Sequence, residues 1–268
     1  MDHSGHIAVV TGAAQGIGRA YAQALAEDNA TVVAADLNRE AAEETAALIN
    51  EAGGKAVAAS VDVSSKESTL ALAERVRKEF GATNILVNNA AIYHSMRSDS
   101  QLTVDIEYWR KVMSVNVDGA LLMTQAFAPQ LIESGWGRAV NQTSSAAYLG
   151  GGGHYGVSKL ALIGVAQGFA GELGQHGITV NAIAPGVIMT EATRVTVDQG
   201  MLDQLAAVVP LKHEATPEDL IGVLRFLTGD QASWMTGQAP RPRPPLAPPG
   251  GGPGRPRRSR PRLRRRAP

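Results

Sequence analysis

The sequence predicts an α/β fold in which a parallel sheet is covered on both faces by helices. Two observations predict it. Short β-branched runs alternate with Ala-rich amphipathic stretches up to about Gln238, and the runs lack the strict in–out alternation of a half-exposed sheet. Residues 7–10 (Ile-Ala-Val-Val) read as the first buried strand and 31–35 (Thr-Val-Val-Ala-Ala) as the second. Residues 56–59, 85–87, 139–141 and 178–180 are further strand candidates. Helical periodicity falls near residues 17–28, 39–52, 66–79, 107–133, 155–174 and 217–228. No internal repeat interrupts this order.

The bulk numbers bound the rest. The chain has 268 residues, 44% hydrophobic and only 4% aromatic, enough for one α/β domain with a sizeable core. No apolar run reaches the ~18 residues of a membrane span. The start, Met1-Asp2-His3-Ser4-Gly5, lacks the basic and apolar segments of a secretory signal, so the expected location is cytoplasmic. Cysteine is absent, which excludes disulfides and thiolate chemistry, and no metal site is expected. The formal net charge of zero hides an asymmetry. From Arg241 onward there are ten arginines and no acid, which leaves residues 1–240 with a net charge of −10. A body that acidic argues against nucleic-acid binding by the folded part.

Residues 11–18, Thr-Gly-Ala-Ala-Gln-Gly-Ile-Gly, follow the first strand and open the first helix. Gly12, Gly16 and Gly18 let the backbone turn tightly and approach a pyrophosphate, whose charge then sits at a helix N-terminus beside Gln15 and Ile17. This strand–turn–helix context defines the Rossmann type of nucleotide site. Asp36 closes the second strand, 18 residues after Gly18. Its carboxylate can accept from both ribose hydroxyls and repels a 2′-phosphate, which favours NAD over NADP. Arg39 nearby argues the other way, and a helix-capping role for Asp36 is the plainer alternative. Asp62-Val63 and Asn88-Asn89-Ala90-Ala91 follow the third and fourth strands on the same sheet edge, where each reads as a turn or as a contact.

Tyr155 and Lys159 are four residues apart at the start of a helical pattern, so their side chains share one face. A tyrosine of pKa ~10 is a poor base at neutral pH, and a nearby ammonium favours its phenolate. Tyr155 could then take an alcohol proton while hydride leaves, or return it in reduction.

With these motifs in this order, the chain resembles a short-chain dehydrogenase/reductase of the compact, single-domain type. The matching residues are Thr-Gly-x-x-x-Gly-x-Gly at 11–18, Tyr-x-x-x-Lys at 155–159, Pro185-Gly186, and Asn-Asn-Ala-Ala at 88–91, where Ala91 replaces the family's glycine. The resemblance covers about residues 5–238. It implies a sheet of order 3-2-1-4-5-6, with the family's final seventh strand missing here. It implies a tetrad of Asn116, Ser144, Tyr155 and Lys159, with Asn116 supporting a water chain to the lysine. Ser145 is the alternative to Ser144, since the spacing to Tyr155 is shorter than usual. It also implies that Asn89 and Ala90 line the adenosine and ribose region, that Lys159 touches the nicotinamide ribose, and that Pro185, Gly186, Ile188 and Thr190 close over the cofactor. The long helices near 107–133 and 155–174 resemble the family's main interface, so a homotetramer or dimer is expected.

The implied function is NAD-dependent interconversion of a secondary alcohol and a ketone. A 3-oxoacyl thioester reductase using NADPH and a catalytically silent nucleotide-binding protein are the alternatives. The substrate wall is expected from Tyr93, His94, Met96, Tyr148, Leu149 and the lid segment 187–210, favouring a mainly apolar small molecule. Arg194 in that lid is either exposed or a holder of anionic substrate. Gly150–Gly153 is expected to form a small, mobile loop, and His154 to be exposed. After Gln238 the composition breaks: residues 239–268 hold ten prolines and all ten of those arginines, and are expected to be disordered. A GC-rich gene read in a shifted frame gives this composition, and resequencing across the Gln238 codon tests that. The other reading is a natural basic arm for nucleic acid or a membrane surface, whose binding would fall steeply with salt.

Overall fold

The structure is a computed structural model that describes residues 1–94, 96–97, 99–148, 152–200, 202–203, 211 and 213–241. Among them, six strands form one sheet of order β3-β2-β1-β4-β5-β6, every neighbouring pair parallel. The strands are β1 Ile7–Thr11, β2 Thr31–Asp36, β3 Lys55–Ser60, β4 Ile85–Asn88, β5 Gly137–Gln142 and β6 Ile178–Ile183. The helices are α1 Gly16–Glu27, α2 Arg39–Glu51, α3 Lys66–Glu79, α4 Ile106–Met113, α5 Gly119–Glu133, α6 Gly153–Leu173, α7 Glu191–Thr196 and α8 Ile221–Thr228.

Alternate strand residues point to opposite faces, which is why the sequence shows runs instead of alternation. On one face Ile7 and Val9 of β1 meet Leu72 and Val76 of α3, Met123 and Phe127 of α5, and Ala166 and Ala170 of α6. On the other, Ala8 and Val10 meet Tyr21 and Leu25 of α1, Ile49 of α2, and Leu224 and Leu227 of α8. The order reverses between β1 and β4, the point at whose carboxyl ends open α/β sheets bind ligands.

One expectation is corrected. The helix expected over 107–133 is interrupted by a π-helical turn, Ser114–Asp118, which carries Asn116. Such turns insert one residue into a helix without changing its hydrophobic pattern enough to be seen in sequence. As expected, no seventh strand forms among the described residues, but the chain after α8 still reaches β6. Gly237 N donates to Val180 O at 2.8 Å, Ala182 N to Gln238 O at 2.8 Å and Ala184 N to Pro240 O at 2.9 Å. The segment 237–240 thus runs alongside β6 in the same direction, and Pro240 has no N–H to continue the ladder.

At the amino-terminal ends of β1 and β5, Trp136 lies between the His6 ring, stacked at 4.3 Å, and the Arg138 guanidinium at 4.1 Å. Burial holds the His3 and His6 imidazoles below their ordinary value; Asp28 and Asp230 respectively oppose this, and Arg138 adds to it at His6. With folded pKa values below the unfolded ones, their stabilising contribution is complete above the unfolded pKa of ~6.5 and is lost as pH falls through the folded values. The thermal midpoint is expected to drop between about pH 7 and pH 5, and a His3→Gln/His6→Gln variant to drop less. Equal slopes in both proteins would contradict this assignment.

Candidate active site

The turn between β1 and α1 is tight in a way only glycine permits. Gly12 and Gly16 have φ of +64° and +55°. A Cβ on Gly18 would lie 2.0 Å from Gly12 O, and one on Gly12 would lie 2.8 Å from Ala90 Cα. The end of β4 is tied to this turn. Asn89 Nδ2 donates to Thr11 O at 3.0 Å and Gly12 O at 3.1 Å, while Thr11 Oγ1 accepts from Asn89 N at 3.0 Å and Ala90 N at 3.1 Å. The Asn89 amide donors therefore hold the turn.

The N-terminus of α1 is left open. Asn38, Ser65 and Asp105 cap α2, α3 and α4 with side-chain oxygens, but Gln15 makes no such bond and the first turn of α1 has no acid. Its leading N–H groups need an acceptor that the cap does not provide, and a pyrophosphate fits that need in both charge and donor geometry. Thr190 lies across this turn: its Cγ2 is 3.4 Å from where a Gly16 Cβ would sit. Thr190 also caps α7, and Thr193 Oγ1 donates to Ile188 O at 2.7 Å, so Ile188 and Thr190 are fixed with respect to the turn. Pro185 O accepts from Ser145 N at 2.7 Å, joining the Pro185-Gly186 segment to the end of β5.

Asp36 is not a helix cap, since Asn38 caps α2. One carboxylate oxygen accepts from Ala14 N at 3.1 Å and the other from Asn38 N at 2.9 Å, which turns the group toward the glycine turn. Arg39 pairs instead with Glu43 at 2.8 Å along α2. Asp62 is exposed, with Oδ1 accepting from Ser64 N at 2.9 Å, while Val63 is buried against Gly119.

Tyr155 and Lys159 share one face of α6, with the Lys159 Nζ 5.6 Å from the Tyr155 ring centre. Lys159 is buried, and Nζ donates to Gln142 O at 2.8 Å. Burial lowers its pKa to about 7. Burial also raises the Tyr155 phenol above its ordinary value, the Tyr93 phenol adds to this, and the Ser144 hydroxyl opposes it. The Tyr93 and Tyr155 rings lie 5.3 Å apart. The Ser144 hydroxyl lies near the phenol and accepts from Ala146 N at 3.1 Å, while Ser145 is buried at the start of the short turn Ser145–Tyr148. Asn116 is buried on its π turn, where Oδ1 accepts from Ile92 N at 2.7 Å and Nδ2 donates to Ser158 Oγ at 3.2 Å. Its side chain thus clamps the exit of β4 to the helix of Tyr155 and Lys159.

Sequence reasoning missed the supports of this group. Thr143 Oγ1 bonds Lys159 O, Gln142 O receives the ammonium, and Ser158 Oγ donates to Tyr155 O at 2.8 Å. Only Ser158, inside the Tyr-x-x-x-Lys segment, carried any signal. His154 requires correction: it is 3% exposed, edge-on to Tyr108 at 5.5 Å, with neither ring nitrogen hydrogen-bonded. Here α4 packs over the start of α6 and covers the side adjacent to Tyr155. Gly152 is a close-packing position facing Ala146 O, while Leu149, Gly150, Gly151 and lid residues 201 and 204–210 lie outside the described residues. Arg194 is paired with Glu214 at 2.6 Å.

A glycine turn, an open helix terminus, and a Tyr–Lys pair with a neighbouring serine at one sheet edge define a nucleotide-dependent dehydrogenase site. The family model described as enoyl-(acyl carrier protein) reductase matches residues 12–240. An uncharacterized oxidoreductase of Mycobacterium tuberculosis is 47% identical over 232 residues, covering 87% of this chain and 93% of the relative. The human (3R)-3-hydroxyacyl-CoA dehydrogenase is 36% identical over 242 residues, 86% of this chain and 91% of that protein. A crystallised protein from Beutenbergia cavernae, assigned as an NAD(P)-dependent gluconate 5-dehydrogenase and carrying NADP at low occupancy, superposes with a TM-score of 0.84 at 33% identity, covering 90% of this chain and 96% of that one. The chain belongs to the short-chain dehydrogenase/reductase family, and it is an NAD(P)-dependent oxidoreductase acting on CH–OH groups. No helix among the described residues is long and apolar enough to cross a membrane.

Proposed function

We propose that the chain is an NAD-linked dehydrogenase that interconverts a small secondary alcohol and its ketone, with Tyr155 as the proton-transfer residue. The observation that carries this reading is the pairing of half-buried Tyr155 with buried Lys159 on one face of α6, beside Ser144 and at the sheet edge that holds the glycine turn. When bound, oxidised nicotinamide supplies the hydride acceptor and a positive charge beside the phenol. Ser144 orients the alcohol oxygen. Tyr155 takes its proton as hydride leaves, and the protonated Lys159 ammonium favours the phenolate that Tyr155 must present. Gln142 O holds that ammonium in place, and Asn116 fixes the helix that carries both groups.

For the cofactor, Gly12, Gln15, Gly16, Ile17 and Gly18 hold the pyrophosphate, Asp36 the adenosine ribose, Asp62 and Val63 the adenine, and Asn89 and Ala90 the wall between them. Tyr155 and Lys159 reach the nicotinamide ribose, and Pro185, Gly186, Ile188 and Thr190 close over the nicotinamide. The preference for NAD rests on the Asp36 carboxylate and on Arg39 being paired with Glu43. Assembly as a homo-oligomer is supported by exposed Val157 and Leu160 and by open space over Gly164, Gly168 and Gly171 on α6.

Steady-state oxidation of a panel of secondary alcohols with NAD and NADP tests the reading. We expect turnover with NAD, and an Asp36→Ala variant whose NAD-over-NADP preference falls by about tenfold or more, since it loses ribose hydrogen bonds and a repelling charge. A parent enzyme that prefers NADP would instead favour the thioester reductase reading.

A further inference from the structure

We infer that Arg241 is a specificity-determining residue that recruits substrates bearing an oxyanion, carboxylate or phosphate, to the Tyr155 site. The inference rests on the dehydrogenase reading and deepens it. Arg241 follows the segment that runs along β6, and the Pro240 O–Ala184 N bond of 2.9 Å fixes its backbone at the carboxyl end of that strand. Its guanidinium lies over the Tyr148 ring, 4.2 Å from the ring centre. Tyr148 ends the short turn that begins beside Ser144. That turn packs directly on the start of α6: Cβ atoms on Gly152 and Gly156 would lie 2.7 and 2.8 Å from Ala146 O. Arg241 is thus anchored between the end of β6 and the end of the Ser144 turn, and that turn in its own right packs on the helix of Tyr155.

The chemistry follows from how the guanidinium is held. Stacking on an aromatic ring uses its face and leaves the in-plane N–H fork free to engage an oxyanion through paired hydrogen bonds. Other arginines near the site are committed: Arg194 to Glu214 and Arg97 to Asp99. No ion pair links Arg241 to a carboxylate among the described residues. Residues 1–240 carry a net charge of −10, so a cation placed at the mouth supplies the local attraction for an anion that this part of the chain does not. An arginine there gives a substrate with an acidic group both attraction and a fixed orientation.

The test compares paired secondary alcohols with and without an anionic group: β-hydroxybutyrate against its methyl ester, and glycerol phosphate against glycerol. Full-length enzyme and its Arg241→Ala and Arg241→Lys variants are assayed with NAD. We expect the parent to prefer the anion in at least one pair. In Arg241→Ala the anion-over-neutral ratio of kcat/KM falls about tenfold or more, mainly through KM, and Arg241→Lys recovers part of it. Which pair responds distinguishes carboxylate from phosphate. Preference for the neutral member, or an unchanged ratio in Arg241→Ala, overturns the assignment while leaving the dehydrogenase reading intact. No turnover of any alcohol by the parent overturns both.

Discussion

Replacing Tyr155 with phenylalanine is expected to lower kcat about 10²–10⁴-fold while leaving NADH affinity within about twofold of the parent. The substitution keeps the ring, and with it the packing against Tyr93 at 5.3 Å, so the helix should keep its place. It removes the one group of the set that can exchange a proton with the substrate oxygen. Burial disfavours the ionised phenol, so the residue depends on nearby positive charge, and the buried Lys159 with a pKa lowered to about 7 supplies it only when protonated. Single-turnover measurements at saturating cofactor separate this loss from any change in binding. Unchanged turnover in Tyr155→Phe would remove the tyrosine from the mechanism, and a parallel loss of NADH binding would make its role structural.

The second large effect is expected at Gly18. An alanine Cβ there would lie 2.0 Å from Gly12 O and 2.6 Å from the Asn89 amide, both fixed by the bonds that join the turn to β4. Gly12 O is backbone, and the Asn89 amide, though the end of a side chain, is held by its bonds to Thr11 O and Gly12 O, so the backbone of the turn must move. Gly18→Ala should cost about 3 kcal/mol or more of stability and reduce NADH affinity about 100-fold or more. Gly222, in α8 with nothing within 4 Å of its Cβ position, is the internal control. There the same substitution should stabilise by about 0.5–1 kcal/mol through helix propensity. Equal and small effects at both positions would mean that the glycine turn is not the close-packed cradle described above.

The parts of this structure that were legible in the sequence are those governed by local rules. Buried parallel strands read as β-branched runs because both faces are covered, as Val9 and Val10 are from opposite sides. The glycine turn was legible because close approach and positive φ admit so few side chains. Asp36, Tyr155 and Lys159 were legible from their positions after β2 and on α6, while Asn116 and Ser144 came only through the family resemblance. What stayed hidden depends on partners distant in sequence. The π turn under Asn116 leaves the apolar pattern almost unchanged. His154 was misread because nothing local shows that α4 packs over it. Asn89 read equally as a turn residue or a contact, and nothing local shows that its amide holds Thr11 O and Gly12 O. The strand-like course of 237–240 was masked by its proline-rich composition, since Pro240 contributes a carbonyl acceptor but no donor.

The most direct test of the account is a fluorescence titration of the purified full-length chain with NADH and NADPH, followed alongside thermal stability. Saturable NADH binding that raises the melting temperature is expected, with NADPH binding about tenfold or more weakly because Asp36 repels its 2′-phosphate. Binding of neither nucleotide would contradict it at the root. It would mean that the open end of α1 and the glycine turn do not make a working cofactor site in this chain.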